Sequence, residues 1–271
     1  MPIDKISGVA FTAINKLSGI AKASIANVSG VSTAAASNVE FFVDASDSSS
    51  YSGSGTTWSD LSGNGYDLTL TNGPAYNSGS IDSFSFDGSN DYAQNGNGLQ
   101  IFGASDAYTT EVWMRLTSAF SIRSMIGKRE SSNSANGWVI AFRSGSTYNG
   151  LLWRSTSPSG FIDVVFSSNQ TSTLLNSWCL LTCVKNSDGS FAVYINGVAK
   201  ASQRASHSSS NLTNLAFNVN NSSASLALSR YGVSRNFEFR GRIGQAKIHS
   251  EALTASAALA SFNADKTKYG Y

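Results

Sequence analysis

Charge is scarce in this chain. Asp, Glu, Lys and Arg make up only 13% of 271 residues and leave a formal net charge of +2. So small a balance offers no electrostatic footprint for a nucleic-acid backbone. Histidine occurs only as His207 and His249, in separate segments, which leaves no histidine cluster for a transition metal. No run approaches 18 consecutive apolar residues, so insertion into a bilayer is not expected. The start of the chain has no basic tip followed by an unbroken apolar core, so a secretory signal is not expected either.

Cysteine is scarcer still, with two residues. Cys179 and Cys183 stand four apart in a stretch that reads as a strand. Extended chain separates their Cα atoms by roughly 13 Å, well past the ~7 Å limit for a disulfide. They share one face of that strand and are expected to be small core hydrophobes.

What the chain does have, at its start, is a sentence repeated three times. Ile3-Asp-Lys-Ile6-Ser-Gly8-Val9, Ile14-Asn-Lys-Leu17-Ser-Gly19-Ile20 and Ile25-Ala-Asn-Val28-Ser-Gly30-Val31 recur with a short fixed period. That period, about 11 residues, would suit a helix wound at about 3.67 residues per turn. Each interior Gly would cost such a helix about 0.8–1 kcal/mol, so short extended segments broken at every Ser-Gly fit better. A segment of this kind cannot bury its apolar positions alone. Ile6, Gly8, Val9, Leu17, Gly19, Ile20, Val28, Gly30 and Val31 are therefore read as an assembly arm that docks onto another surface. Two alternatives stand beside it. One is a peeled-off strand of the same body. The other is an amphipathic membrane-binding segment, which Lys5, Lys16 and Lys22 supply with little positive charge. The expected division is an arm over residues 1–37 and a body over 38–271.

In the body, short alternating stretches recur between turn signals. Val39–Val43, Ser83–Phe86, Tyr108–Leu116, Trp138–Phe142 and Phe161–Phe166 read as strands. Leu180–Lys185 and Phe191–Ile195 form a hairpin across Asn186-Ser-Asp-Gly189, and Asn196-Gly197 turns the chain again. Thr254 caps one short helix beginning at Ala255, with Leu259 and Phe262 expected on its packed face. The expected fold is all-β: a two-sheet antiparallel jelly-roll sandwich with one carboxy-terminal helix and an extended amino-terminal arm.

Several strings carry a resemblance, in order along residues 39–265. Trp58-Ser-Asp-Leu-Ser-Gly-Asn-Gly65, Phe84-Ser-Phe-Asp-Gly-Ser-Asn-Asp-Tyr92, Thr110-Glu-Val-Trp113, Val193-Tyr-Ile-Asn-Gly197 and Phe239-Arg-Gly-Arg-Ile243 resemble the concanavalin A-like lectin/glucanase superfamily in its laminin-G-like form. The triplicated leader resembles segments of tailed-phage virion structural proteins. The superfamily pattern often places an acidic residue after the isoleucine matching Ile243, where this chain has Gly244.

The resemblance implies a search for sugar chemistry. Glucanases of the superfamily need two carboxylates on one strand face, about 5–5.5 Å apart for retention. Glu111-Val-Trp113 supplies one carboxylate and an indole where the second would stand, so no enzyme is expected. Tyr148, Trp153 and Arg154, with the Asn133–Asn136 loop, are candidates for a glycan platform; the competing reading makes Trp153 core and Tyr148 a turn residue. Asp87, Asn90 and Asp91 offer oxygen ligands for calcium, against the simpler reading that they make a turn. No other metal or cofactor is expected.

The leading expectation is a non-enzymatic virion structural protein of a tailed phage, assembled in the host cytoplasm. Its arm would join other virion proteins in a homo-oligomer and its body would face a host-surface glycan. A free bacterial carbohydrate-binding module and a polysaccharide-cleaving glycosidase are the alternatives.

Overall fold

The computed structural model describes residues 38–96, 99–103, 105–118, 122–129, 137–143, 150–157, 160–166, 174–200, 202–205, 224–230 and 237–271, together with six two-residue strands nearer the amino terminus. The chain divides into two compact units, Met1–Asn38 and Val39–Tyr271.

In the first unit each repeat contributes one antiparallel pair. Strand β1 (Lys5–Ile6) pairs with β2 (Val9–Ala10), β3 (Lys16–Leu17) with β4 (Ile20–Ala21), and β5 (Asn27–Val28) with β6 (Val31–Ser32). The registers are equivalent: Ile6 faces Val9, Leu17 faces Ile20, Val28 faces Val31. Backbone pairing at the same place in all three repeats is the extended arrangement, not a helix. Gly8, Gly19 and Gly30 lie outside the described residues.

The second unit begins with β7 (Val39–Asp44), β8 (Thr57–Trp58), β9 (Leu68–Thr71), β10 (Ala75–Asn77), β11 (Ser83–Asp87) and β12 (Tyr92–Gln94). It continues with β13 (Tyr108–Leu116), β14 (Ile122–Arg129), β15 (Gly137–Arg143), β16 (Gly150–Ser157) and β17 (Gly160–Phe166). Then come β18 (Trp178–Lys185), β19 (Phe191–Ile195), β20 (Val198–Lys200), β21 (Ser202–Ala205), β22 (Leu226–Leu228), β23 (Arg240–His249) and helix α1 (Ala255–Asp265). One sheet runs β10-β11-β23-β13-β18-β19-β20, with β7 also paired to β23. The other runs β21-β17-β16-β15-β14-β22-β12-β9-β8. All the pairings are antiparallel, so the body is a two-sheet all-β sandwich with one short helix near its end.

Alternation explains the layering. On β13, Val112, Met114 and Leu116 join the core between the sheets, while Trp113 belongs to a separate cluster on the opposite face. Trp138, Ile140 and Phe142 of β15 and Cys179, Leu181 and Cys183 of β18 fill the same inner core. Both cysteines are free and buried. Burial pushes the Cys179 thiol up to about 12, so it is an inert space-filler at neutral pH.

Thr254 does cap the helix, its hydroxyl accepting from the Ala257 N–H at 3.2 Å. The packed face differs from expectation. Ala258 is the buried residue, while Leu259 is 44% exposed. The small methyl lets the helix sit close, and Leu259 lies over Gly197, where an added Cβ would meet its Cα at 2.8 Å. Phe262 packs as expected, against Trp113 at 5.7 Å between ring centroids.

The last six residues continue this packing. Tyr269 stacks on Trp113 at 4.0 Å with an interplanar angle of 8°. A Cβ on Gly244 would meet the Tyr269 hydroxyl at 2.6 Å and its ring at 2.8 Å. The space beside Gly244, where the resemblance led to the expectation of an acidic side chain, is thus filled by a tyrosine from the tail. Lys268 anchors that tail through its ammonium, 2.6 and 2.7 Å from the two Asp44 oxygens. Burial alone would raise the Asp44 carboxyl, but the Lys268 and Ser46 hydrogen bonds outweigh it and hold the pKa below the ordinary value.

A depressed carboxylate stabilises above its unfolded pKa of about 3.9 and loses that contribution as pH falls through the folded value. Lys268→Met should therefore cost roughly 1–3 kcal/mol near pH 7, since it strands a partly buried charge. The difference between wild type and variant should shrink as pH drops below about 4. Urea unfolding across pH 3–7 measures both; a difference that grows in acid would contradict the assignment.

Candidate functional site

Across four neighbouring strands one register line carries Ser85, Arg242, Arg115 and Trp178, each directly opposite the next. Directly paired residues project to the same side of a sheet. Arg115 lies two residues beyond Trp113, so this line is on the face turned away from the inter-sheet core. There Arg115, Arg242 and Trp178 line a cleft of about 480 Å³. Its remaining wall is Tyr76, Asn77 and the Ser78–Ile81 loop between β10 and β11.

Each wall is fixed by identifiable contacts. Asn77 donates to the Ser85 hydroxyl at 2.8 Å and to the Ser83 carbonyl at 3.2 Å. Asp82 accepts from the Gly79 N–H at 3.0 Å, and Ile81 packs against the Trp113–Trp178–Tyr269 cluster. The Trp178 carbonyl accepts a hydrogen bond from the Tyr271 hydroxyl, which in turn accepts from Asn196 at 2.9 Å. Arg115 spends its Nε on the Asn176 carbonyl at 3.0 Å. Among the described residues neither arginine meets a carboxylate. The cleft thus combines two cations, one indole and short polar side chains on a rigid sheet.

The residues proposed from sequence fall elsewhere. Trp153 is fully buried, its ring 6.0 Å from Tyr108 and 6.5 Å from Phe191. It is a core residue, as the competing reading held, because it projects from β16 into the inter-sheet space; it does not form an exposed platform. Arg154, its neighbour, is half-buried on the opposite face. Tyr148 and Asn133–Asn136 lie outside the described residues.

Asp87, Asn90 and Asp91 do share a turn, but its carboxylates point at backbone. Asp87 accepts from the N–H groups of Ser89 at 2.8 Å and Asn90 at 3.3 Å, while Asp91 accepts from the Asp87 N–H at 3.1 Å. Burial would raise the Asp87 carboxyl; these N–H donors overcome it and lower the pKa. Burial also raises Asp91, and there it prevails. Among the described residues no three of His, Cys, Asp and Glu gather as a metal site. The geometry is that of a carboxylate-capped turn.

Glu111 is also accounted for structurally. It is 2% exposed, with one oxygen 3.0 Å from His249 Nε2 and the other accepting from Thr182 at 3.2 Å. A buried carboxylate held by two partners does not face the cleft. Sequence reasoning missed the cleft residues because strand adjacency creates them. Arg115 and Arg242 stand about 127 positions apart, and only the β13–β23 pairing makes them neighbours.

Comparison with known proteins fits this geometry. The profile of the concanavalin A-like lectin/glucanases superfamily, of laminin G type, matches residues 87–258. No curated protein matches. Among solved structures, the binding domain of Paraclostridial Mosquitocidal Protein 1 superposes with a TM-score of 0.62 at 19% identity, covering 84% of this chain and 52% of that one. The binding domain of botulinum neurotoxin DC, solved with rat synaptotagmin II, gives 0.60 at 16% identity, with coverage of 84% and 52%. The receptor binding domain of botulinum neurotoxin D gives 0.58 at 16% identity, with coverage of 84% and 53%. The chain spans about half the length of these structures, and identities this low establish the fold alone. The profile match, extending over more than half of the sequence, establishes more: this chain belongs to the concanavalin A-like lectin/glucanase superfamily.

Proposed function

We propose that this chain is a non-enzymatic recognition protein of a virus particle. Its repeat arm joins it to neighbouring virion proteins, and its lectin-like body presents the β10–β11 cleft to a surface saccharide. The observation that carries the recognition reading is the cleft itself: a preformed hollow with two arginines, an indole edge and amide and hydroxyl groups, on the outer face of a sandwich. Sites that bind small molecules combine such a concave surface with a few convergent polar groups. Structures sharing the fold include the binding domain of Paraclostridial Mosquitocidal Protein 1 and the receptor binding domain of botulinum neurotoxin D, which supports binding over catalysis. The one carboxylate on the relevant strand, Glu111, is buried beside His249, which removes half of a glycosidase pair.

The arm supports the virion half of the reading. Three small hairpins in one register present Ile, Leu and Val from units too short to form a core of their own. Partners on another chain would bury them, and closed rings of such chains are the expected assembly.

Incubating the full chain with an array of bacterial and host saccharides tests the recognition reading. The expected result is saturable micromolar binding to a subset, with no new reducing ends released over a day. Released reducing ends would replace it with the glycosidase reading.

A further inference from the structure

Deepening that reading of the cleft, and resting on it, we infer that its ligand is an acidic saccharide whose ring carboxylate is gripped by Arg115 and Arg242. Like charges directly opposite on a sheet destabilise it, yet here two arginines occupy directly opposite positions on β13 and β23. No described carboxylate separates them. With Arg115 Nε committed to the Asn176 carbonyl, its terminal nitrogens make no bond to a described residue. The pair is a cost to the folded state unless an anion bridges it.

Guanidinium forks match a carboxylate in plane and spacing, and their hold is stronger than neutral hydrogen bonding. Trp178 stands beside the cations as an apolar wall, whereas the Tyr76 ring packs against Tyr51 and Phe84 on the inner side of the sheet. Ser78 and Ser80 supply hydroxyl groups at the rim, suited to ring hydroxyls. The volume, about 480 Å³, falls within the roughly 300–1,000 Å³ of small-ligand sites. A neutral sugar would leave both arginines uncompensated, and a free carboxylate would leave the Trp178 wall unused.

Calorimetric titration of the full chain with oligogalacturonate and sialyllactose, beside methyl-esterified oligogalacturonate and lactose, tests this. At least one acidic member should bind, its neutral counterpart at least tenfold more weakly. Raising salt from 50 to 250 mM should weaken acidic binding severalfold in the unaltered protein. Arg242→Gln should lose at least tenfold for the acidic ligand while the melting temperature of the unliganded chain holds or rises, and Arg242→Lys should recover part of the affinity. Equal binding of acidic and neutral partners, or full acidic affinity in Arg242→Gln, would overturn the inference. Neutral binding that Ser80→Trp blocks would sink the acidic assignment and leave the recognition site standing. Failure of every saccharide to bind would sink both.

Discussion

Replacing Trp113 with alanine should lower the unfolding free energy by about 3–5 kcal/mol, the range for a buried tryptophan. The indole is fully buried on the face of the sheet away from the main core. What covers it is the end of the chain: Tyr269 stacked at 4.0 Å, Phe262 at 5.7 Å and Tyr271 at 6.3 Å. The cavity left by alanine is walled on one side by sheet and on the other by the tail, which then keeps only its polar holds on Asp44, Asn196 and the Trp178 carbonyl and the Tyr269 contact with Trp178. The tail should therefore come away from the sheet before global unfolding. Urea unfolding gives the energy, and hydrogen exchange of residues 262–271 gives the local opening. A loss below about 1 kcal/mol, typical of a partly exposed site, would mean that the tail is not seated on Trp113 in solution. Because the Tyr271 hydroxyl bonds the Trp178 carbonyl, the same variant should also loosen one wall of the cleft.

Deleting residues 1–37 should have the largest effect on assembly and almost none on the body. The core between the sheets, as described, starts at Phe41, and the first strand of the sandwich starts at Val39. The shortened chain should melt within about 2 °C of the full one, a shift of less than about 1 kcal/mol for a domain this size. If the arm anchors the chain as proposed, incorporation into particles should fall at least tenfold, and sedimentation should show the shortened chain as a monomer where the full chain is an oligomer. A milder version replaces Leu17 and Ile20, the facing pair of the second hairpin, with serine. It should weaken incorporation without altering the melt. Normal incorporation of either chain would return the repeats to an incidental role.

How much of this was legible in the sequence follows from how local each signal is. Alternation over nine residues placed β13 at Tyr108–Leu116, and the structure has it there. Asn196 and Gly197 both adopt positive φ, 54° and 73°, as a two-residue hairpin turn demands. The Ser-Gly period announced short extended segments rather than a helix, but not that they pair within each repeat. The short strands Ala75–Asn77 and Tyr92–Gln94 were not legible, because three residues carry too little pattern to separate from a loop. Trp153 read as a potential platform because an indole followed by arginine looks the same in a loop or a strand. Its place in β16 turns it inward. The tail was the larger gap. Nothing near Lys268, Tyr269 and Tyr271 hints that their partners are Asp44, Trp113 and Trp178. Contacts between distant segments are set by topology, which a single sequence displays only through its consequences.

The account turns on where a saccharide lands. An amide and indole NMR titration of the full chain with whichever sugar the array selects decides it. The largest shifts should cluster at residues 76–81, Arg115, Arg242 and the Trp178 indole, and Arg242→Gln should abolish them. Shifts centred instead on Asn133–Asn136 and Tyr148–Gly150, with the cleft signals still, would contradict it.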